Sequence, residues 1–349
     1  MRVSLCASAA FAVLLARPAI LAQPPSSSVQ KSIAAEIDRA RTALEAAAPE
    51  QERASPIARL ERARTALDAG RLYLAAYLTE AGWEGAKNWT FVKASSDITT
   101  QEAFLKKWTA MGEPRPALRP RQARVPAVPA IIDAIAAVAE GRGPSTYQAS
   151  RPYSEDSGLF GGLYYLSDSH AVMQFAATIR GWDWPPAGTP PPFRSIANEI
   201  GAFDVEMTTA YEKMEKANHS TYIVASAALK QARTLNEQGQ YSGALVEYLL
   251  ARYLFAALRG PAAAEATPGQ IADVRASLAG PVDHSVADFF FQLAGEALAG
   301  GSDAQRRNAA AVLEDVIPAY RVAIAPAATT TTSAAPAQVT ITLVRWPFT

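Results

Sequence analysis

From residue 29 onward, apolar side chains return at steps of three and four over most of the chain, a period that fits helices and little else. Val29, Ile33, Ile37, Ala40 and Leu44 make one stripe over residues 27–48. Such spacing places side chains on a single helix face. Pro49 and a polar run end it, and Ile57, Leu60, Ala63 and Leu67 open a second stripe that stops at Gly70. Glycine suits the left-handed residue after a helix end. A third helix is predicted from Arg71 to about Ala86, with so little polar surface that it should be well buried. Further helices are expected through Phe104 and Trp108, from Val128 to Val138, from Leu159 to Arg180 and from Phe193 to Met214. In the last of these Ile196, Ile200, Phe203, Met207 and Tyr211 face inward.

The pattern continues with a helix pair at 221–238 and 240–258. Thr267-Pro268 then opens another helix, Asp283 to Leu298 follows, and Ser302 with Gln305 starts a last one in a capping-box pattern. Pro318 should kink or end that helix. Two stretches rich in glycine, proline and serine read as connectors, 141–157 and 182–192. Strand signals are few. Val339 to Val344 is the best, behind an Ala/Thr/Pro spacer, and Trp89 to Val92 is the only other. A lone strand must find an edge to pair with, so the tail should fold back on 89–92 or add to a sheet edge on a partner.

The chain thus divides into a leader at 1–22, helical hairpins at 23–111, a Pro/Arg-rich linker at 112–127, a main helical domain at 128–325, and a spacer with terminal strand at 326–349. The fold class is all-α: helical hairpins packed as a bundle or irregular solenoid, with a flexible tail ending in one short strand. At 349 residues the core can hold such a fold without cross-links.

Two helices share wording. Ile37 to Ala46 reads almost like Leu60 to Ala69, which points to duplication, and Leu229 to Leu235 is a looser third copy. The pair at 225–258 resembles a tetratricopeptide repeat through Ala232, Gly239, Tyr241, Ala244, Tyr248 and Ala251. Small residues let the two helices approach, the glycine makes the turn, and the tyrosines wedge against the next hairpin. The hairpin at 57–86 resembles it more loosely through Ala63, Gly70, Leu72, Ala75 and Gly82. The resemblance implies an interaction scaffold whose concave face binds peptides or partner helices, with Tyr241 and Tyr248 among the contacts.

Export is the expectation at the N-terminus. Arg2, the apolar stretch Ala7 to Leu15 and the small exit residue Ala22 make a tripartite secretory signal. Its apolar core is shorter than a bilayer needs, which disfavours an uncleaved anchor. The Ala, Arg and Pro richness points to a GC-rich bacterial genome, hence a periplasmic or extracellular location. The single cysteine, Cys6, lies in the leader, so a processed chain has no disulfide, thiolate nucleophile or cysteine-ligated metal. Lys plus Arg equals Asp plus Glu, 33 each. That balance gives no general pull toward nucleic acid.

Hydrolase, phosphate-loop and zinc-protease motifs are absent from the sequence. His170, beside Asp168 on an apolar stripe, reads as a hydrogen-bonded core histidine or, alternatively, as a general base or metal ligand. Glu215 and His219 have the spacing of two ligands on one helix face. His284, which follows Asp283 at a helix start, reads as a solvated or capping residue. Trp182 and Trp184 either plug a loop onto the core or stack on a ligand. No cofactor and no metal is expected. The leading expectation is a non-catalytic exported scaffold or binding protein that engages a peptide or protein partner through a helical groove. Its rivals are a helical enzyme or metal binder centred on His170, and an envelope component assembling through its tail.

Overall fold

A computed structural model describes residues 27–115, 128–156, 158–212, 214–259 and 266–325, with the backbone alone at Ala217. The leader, the body of the Pro/Arg-rich linker and the tail strand lie outside the described residues.

The protein is all-α. Helices α1 (Ser28–Ala47), α2 (Glu50–Asp68) and α3 (Leu72–Ala94) come first, then α4 (Gln101–Met111). Next are α5 (Ala130–Asp156), α6 (Gly158–Arg180), α7 (Ala197–Tyr211), α8 (His219–Glu237) and α9 (Tyr241–Ala256). Helices α10 (Pro268–Ala276), α11 (Ser285–Gly300), α12 (Asp303–Ala311) and α13 (Ile317–Ile324) complete the described residues. Among the described residues there is no strand, only one isolated bridge between Thr189 and Val282. No described helix is long and apolar enough to cross a membrane.

Helix α3 is the axis of the assembly. Helices α1 and α2 pack on it, and α6, α11 and α5 also touch it. Its Leu74, Ala75, Ala76 and Leu78 are sealed from solvent, as the lack of polar surface predicts. One continuous core runs from Val29 in α1 to Ala323 in α13. Helix α4 sits on a smaller second cluster of Phe104, Tyr147, Leu163 and Leu166.

Two hairpins close in the same way. Gly70 and Gly239 both take the left-handed conformation, with φ of 72° and 75°. In each, the glycine N–H and the following N–H turn back on the helix: Gly70 to Leu67 and Arg71 to Ala66, Gly239 to Asn236 and Gln240 to Leu235. These pairs of bonds satisfy the carbonyls a helix end leaves open. The capping box expected at Ser302–Gln305 is formed, and Thr267, expected to cap with Pro268 after it, forms a second one with Gln270. Before Pro318 the last helix widens into one π turn at Val312–Val316. The proline lacks the N–H that a regular turn would use, and the wider turn absorbs the loss.

Three local expectations are corrected. Residues 141–156 are helical, not a connector, although Pro144 and Pro152 lie inside α5. The cause is tertiary. A Cβ on Gly143 would stand 3.0 Å from the Ser169 carbonyl oxygen, and one on Gly162 would stand 2.9 Å from Ser154 Cα. The glycines bring the backbones of α5 and α6 together, and burial along that contact outweighs weak local propensity.

Residues 89–92 belong to α3, so the tail has no strand there to pair with. Trp89 instead lies on Phe160 and Tyr164 of α6, with ring centroids 5.3 and 6.0 Å apart. Helix α2 begins at Glu50, so the polar run after Pro49 is helical too, with Pro56 inside it. Smaller differences concern orientation: Tyr211 is exposed, and the buried stripe of α6 runs through Ser169, Val172, Phe175 and Ile179 rather than through His170 and Ala177.

Candidate ligand pocket

Two consequences of sequence place a cavity on the side of α3. Tyr77, Glu80, Ala81, Glu84 and Trp89 recur at steps of about one turn and so line one flank of that helix. The first turns of α2 then supply Glu52, Ser55, Pro56 and Arg59, α5 supplies Arg142, and α6 supplies Phe160, Tyr164 and Tyr165. The open cleft they form holds about 550 Å³. That lies in the range of small-molecule sites. Phe160 stands at its mouth, 50% exposed, where a large apolar ring would otherwise be hidden.

The floor is charged. Arg142 donates to Glu80 Oε1 at 3.3 Å and also to Glu84 Oε1. Both carboxyl side chains are only 12% exposed, whereas Arg142 keeps 37% and faces the opening. Behind the floor Glu247 of α9 is buried at 9%. Burial pushes Glu84 well above the ordinary carboxyl range, Arg142 pulls it back in part, and Glu80 and Asp168 push it further. Burial, with Glu80 adding to it and Arg142 opposing, holds Glu247 at about 8. Burial would lower Arg142, yet Glu84, Glu80, Asp168 and Glu247 together raise it. Tyr77 and Tyr164 are raised as well, first by burial and then by nearby carboxyls. Every one of these groups holds its proton more tightly: the acids and tyrosines chiefly because burial disfavours their charged forms, Arg142 because the carboxyls around it favour its own.

Polar atoms at this site are not all used. Among the described residues, Arg142 Nε and the Asn88 side-chain oxygen find no hydrogen-bond partner although both are buried. Asn88 is 1% exposed and donates its amide to Asp168 Oδ1 at 2.8 Å. Tyr164 of the pocket wall stands beside it.

The residues singled out from sequence lie elsewhere. His170 lines a larger, mostly apolar groove of about 850 Å³ between α1, α3 and α6, with Trp83, Phe91 and Met111. Its Nε2 donates to the Gly112 carbonyl at 3.2 Å, pinning the end of α4, while Asp168 is turned to Asn88. Burial lowers its pKa, and the bond to Gly112 partly offsets that. Trp184 is buried, donates Nε1 to Ile179 O at 2.7 Å and stacks on Tyr73. Trp182 leans on Trp184 and borders a shallow cleft with Glu36 and Arg39, two residues that also edge the His170 groove.

Tyr248 is buried in the core, where its hydroxyl accepts from Arg252 at 2.7 Å, and Tyr241 is half-buried as the first residue of α9. Glu215 precedes the short 3-10 turn Lys216–Asn218 while His219 begins α8, so the two share no helix face. Among the described residues no group of three or more His, Cys, Asp or Glu could hold a metal ion. His284 stands at the start of α11 without a side-chain cap bond; its Nδ1 meets the Tyr320 hydroxyl at 2.9 Å, and the buried Asp283 does the capping.

Glu80, Glu84, Glu247 and Arg142 went unnoticed in the sequence reading. The available signal was an acidic pair one turn apart in a helix otherwise too apolar to be at the surface. No family model, no curated protein and no solved structure matches the chain.

Proposed function

We propose that this is a non-catalytic helical binding protein that engages a peptide or protein partner, and that the cavity flanking α3 is where the partner makes its central contact. The observation that carries this reading is the cavity itself: an aromatic mouth, a charged floor and an exposed phenylalanine at the junction of two helical hairpins. A pocket in which a few polar groups converge among aromatic walls is the usual form of a binding site. The matching closures at Gly70 and Gly239 support treating α2/α3 and α8/α9 as repeat-like hairpins, in keeping with a scaffold. His170 is assigned to holding α4, because the atom it meets is a backbone carbonyl rather than a carboxylate. Export through the secretory route remains part of the proposal and rests on the N-terminal residues alone.

The experiment is selection of random peptides against the full-length protein, followed by affinity measurement on Phe160→Ser. Phe160 is half-exposed, so the variant should fold. The selected peptides are expected to bind it at least about tenfold more weakly, a loss of about 1.4 kcal/mol. Peptides that bind variant and wild type equally would overturn the assignment.

A further inference from the structure

We infer that the group this pocket accepts is an organic cation, an ammonium on an apolar stem such as a lysine side chain of the partner. The inference rests on the pocket reading above and adds the chemistry of the occupant. The walls supply the first half of the argument. Trp89, Phe160 and Tyr164 are grouped with centroids 5.3 to 6.2 Å apart, and Trp89 meets Tyr164 nearly edge-on at 74°. Rings set at an angle around one space present both faces and apolar surface to a guest, and ring faces attract cations.

The floor supplies the second half. Two guanidinium groups, Arg59 and Arg142, answer the carboxyl groups of Glu52, Glu80 and Glu84 in the lining and of Asp168 and Glu247 behind it. Acidic groups outnumber basic ones in a poorly hydrated place, and a guest cation would let Glu84 and Glu247 give up the protons that burial makes them keep. The buried Asn88 oxygen, without a donor beside Tyr164, is an acceptor that an ammonium N–H suits. A bare metal ion fits less well, since the described residues offer no metal-ligand group and a third of the lining is aromatic.

The test uses three matched probes on the full-length protein at pH 8: n-butylammonium, 1-butanol and butyrate, followed by ligand-observed saturation-transfer NMR. Butylammonium is expected to give at least about a fivefold stronger signal than the other two, and to lose it in Phe160→Ala and in Glu80→Gln. A thermal melt of Glu80→Gln shows whether it folds; if it does not, Phe160→Ala and the three-probe comparison on wild type decide the matter. Equal or stronger signals from butanol or butyrate would overturn the cation inference. If the selected peptides still depend on Phe160 in that case, the pocket stands and only its occupant is wrong. If they ignore Phe160, the pocket reading has failed by itself.

Discussion

Replacing Asp283 with alanine is expected to destabilise the whole protein by about 2–4 kcal/mol. The carboxyl is 4% exposed and serves two helices at once. Its Oδ2 accepts from Ala130 N at 2.6 Å, at the start of α5, and its Oδ1 accepts from Ser285 N at 2.8 Å, at the start of α11. Ser285 Oγ in turn accepts from Ile131 N at 3.1 Å. Helix N-termini carry unpaired N–H groups and partial positive charge, so one buried acid between two of them has high leverage. The segment is fixed from the other side as well. Thr189 N donates to Pro281 O at 2.8 Å and Asp283 N to Thr189 O at 2.7 Å. A Cβ on Gly188 would lie 2.4 Å from that Pro281 oxygen, so only glycine permits the approach.

Alanine leaves two buried N–H groups without acceptors. Asparagine keeps one oxygen and should cost about half as much. Urea unfolding of the three proteins checks this. An alanine variant that unfolds with wild type would mean that α5 does not start on Asp283.

Glu247→Gln is expected to stabilise the protein in alkali and not in acid. An ordinary glutamate titrates near 4.5, whereas this one is held at about 8. The folded protein therefore keeps the proton over a range in which the unfolded chain has lost it. Stability from this group is fully present below about pH 4.5 and is lost as pH rises toward and through 8. The groups it faces are Glu80 and Tyr77 on α3 and Arg142 on α5. Glutamine fills the same space and never ionises. The stability difference, Gln variant minus wild type, should grow by on the order of 2–5 kcal/mol between pH 5 and pH 9. Taking the difference removes most of the contribution of other titrating groups, including Glu84, whose raised proton affinity acts in the same direction. Chemical unfolding at several pH values measures it. A difference independent of pH would show that Glu247 is ionised throughout.

Sequence revealed the fold where burial has a local signature and failed where the cause lies across the structure. Val29, Ile33, Ile37, Ala40 and Leu44 are all buried, so the α1 stripe was legible to the residue. Gly70 and Gly239 were legible because a left-handed helix end asks for glycine whatever packs around it. Gly143 and Gly162 carry the same letter for another reason, contact between α5 and α6, and nothing nearby in sequence distinguishes the two uses.

Trp89 to Val92 looked like a strand because aromatic and β-branched residues favour strands; α6 supplied the surface that made them helical. The candidate pocket was hidden for a related reason. Arg142 fell in a segment that looked like a loop, and Glu247 is one acid in an apolar helix. Only the fold brings α3, α5 and α9 close enough for their charges to meet.

Amide hydrogen exchange of the full-length protein, with and without a selected peptide, tests the central claim most directly. The expected result is slower exchange at 52–59, 80–89 and 158–165, the three segments that frame the cavity, with the His170 groove at 40–43 and 170–178 unchanged. Protection centred on that groove, or spread over surfaces remote from α3, would contradict the account.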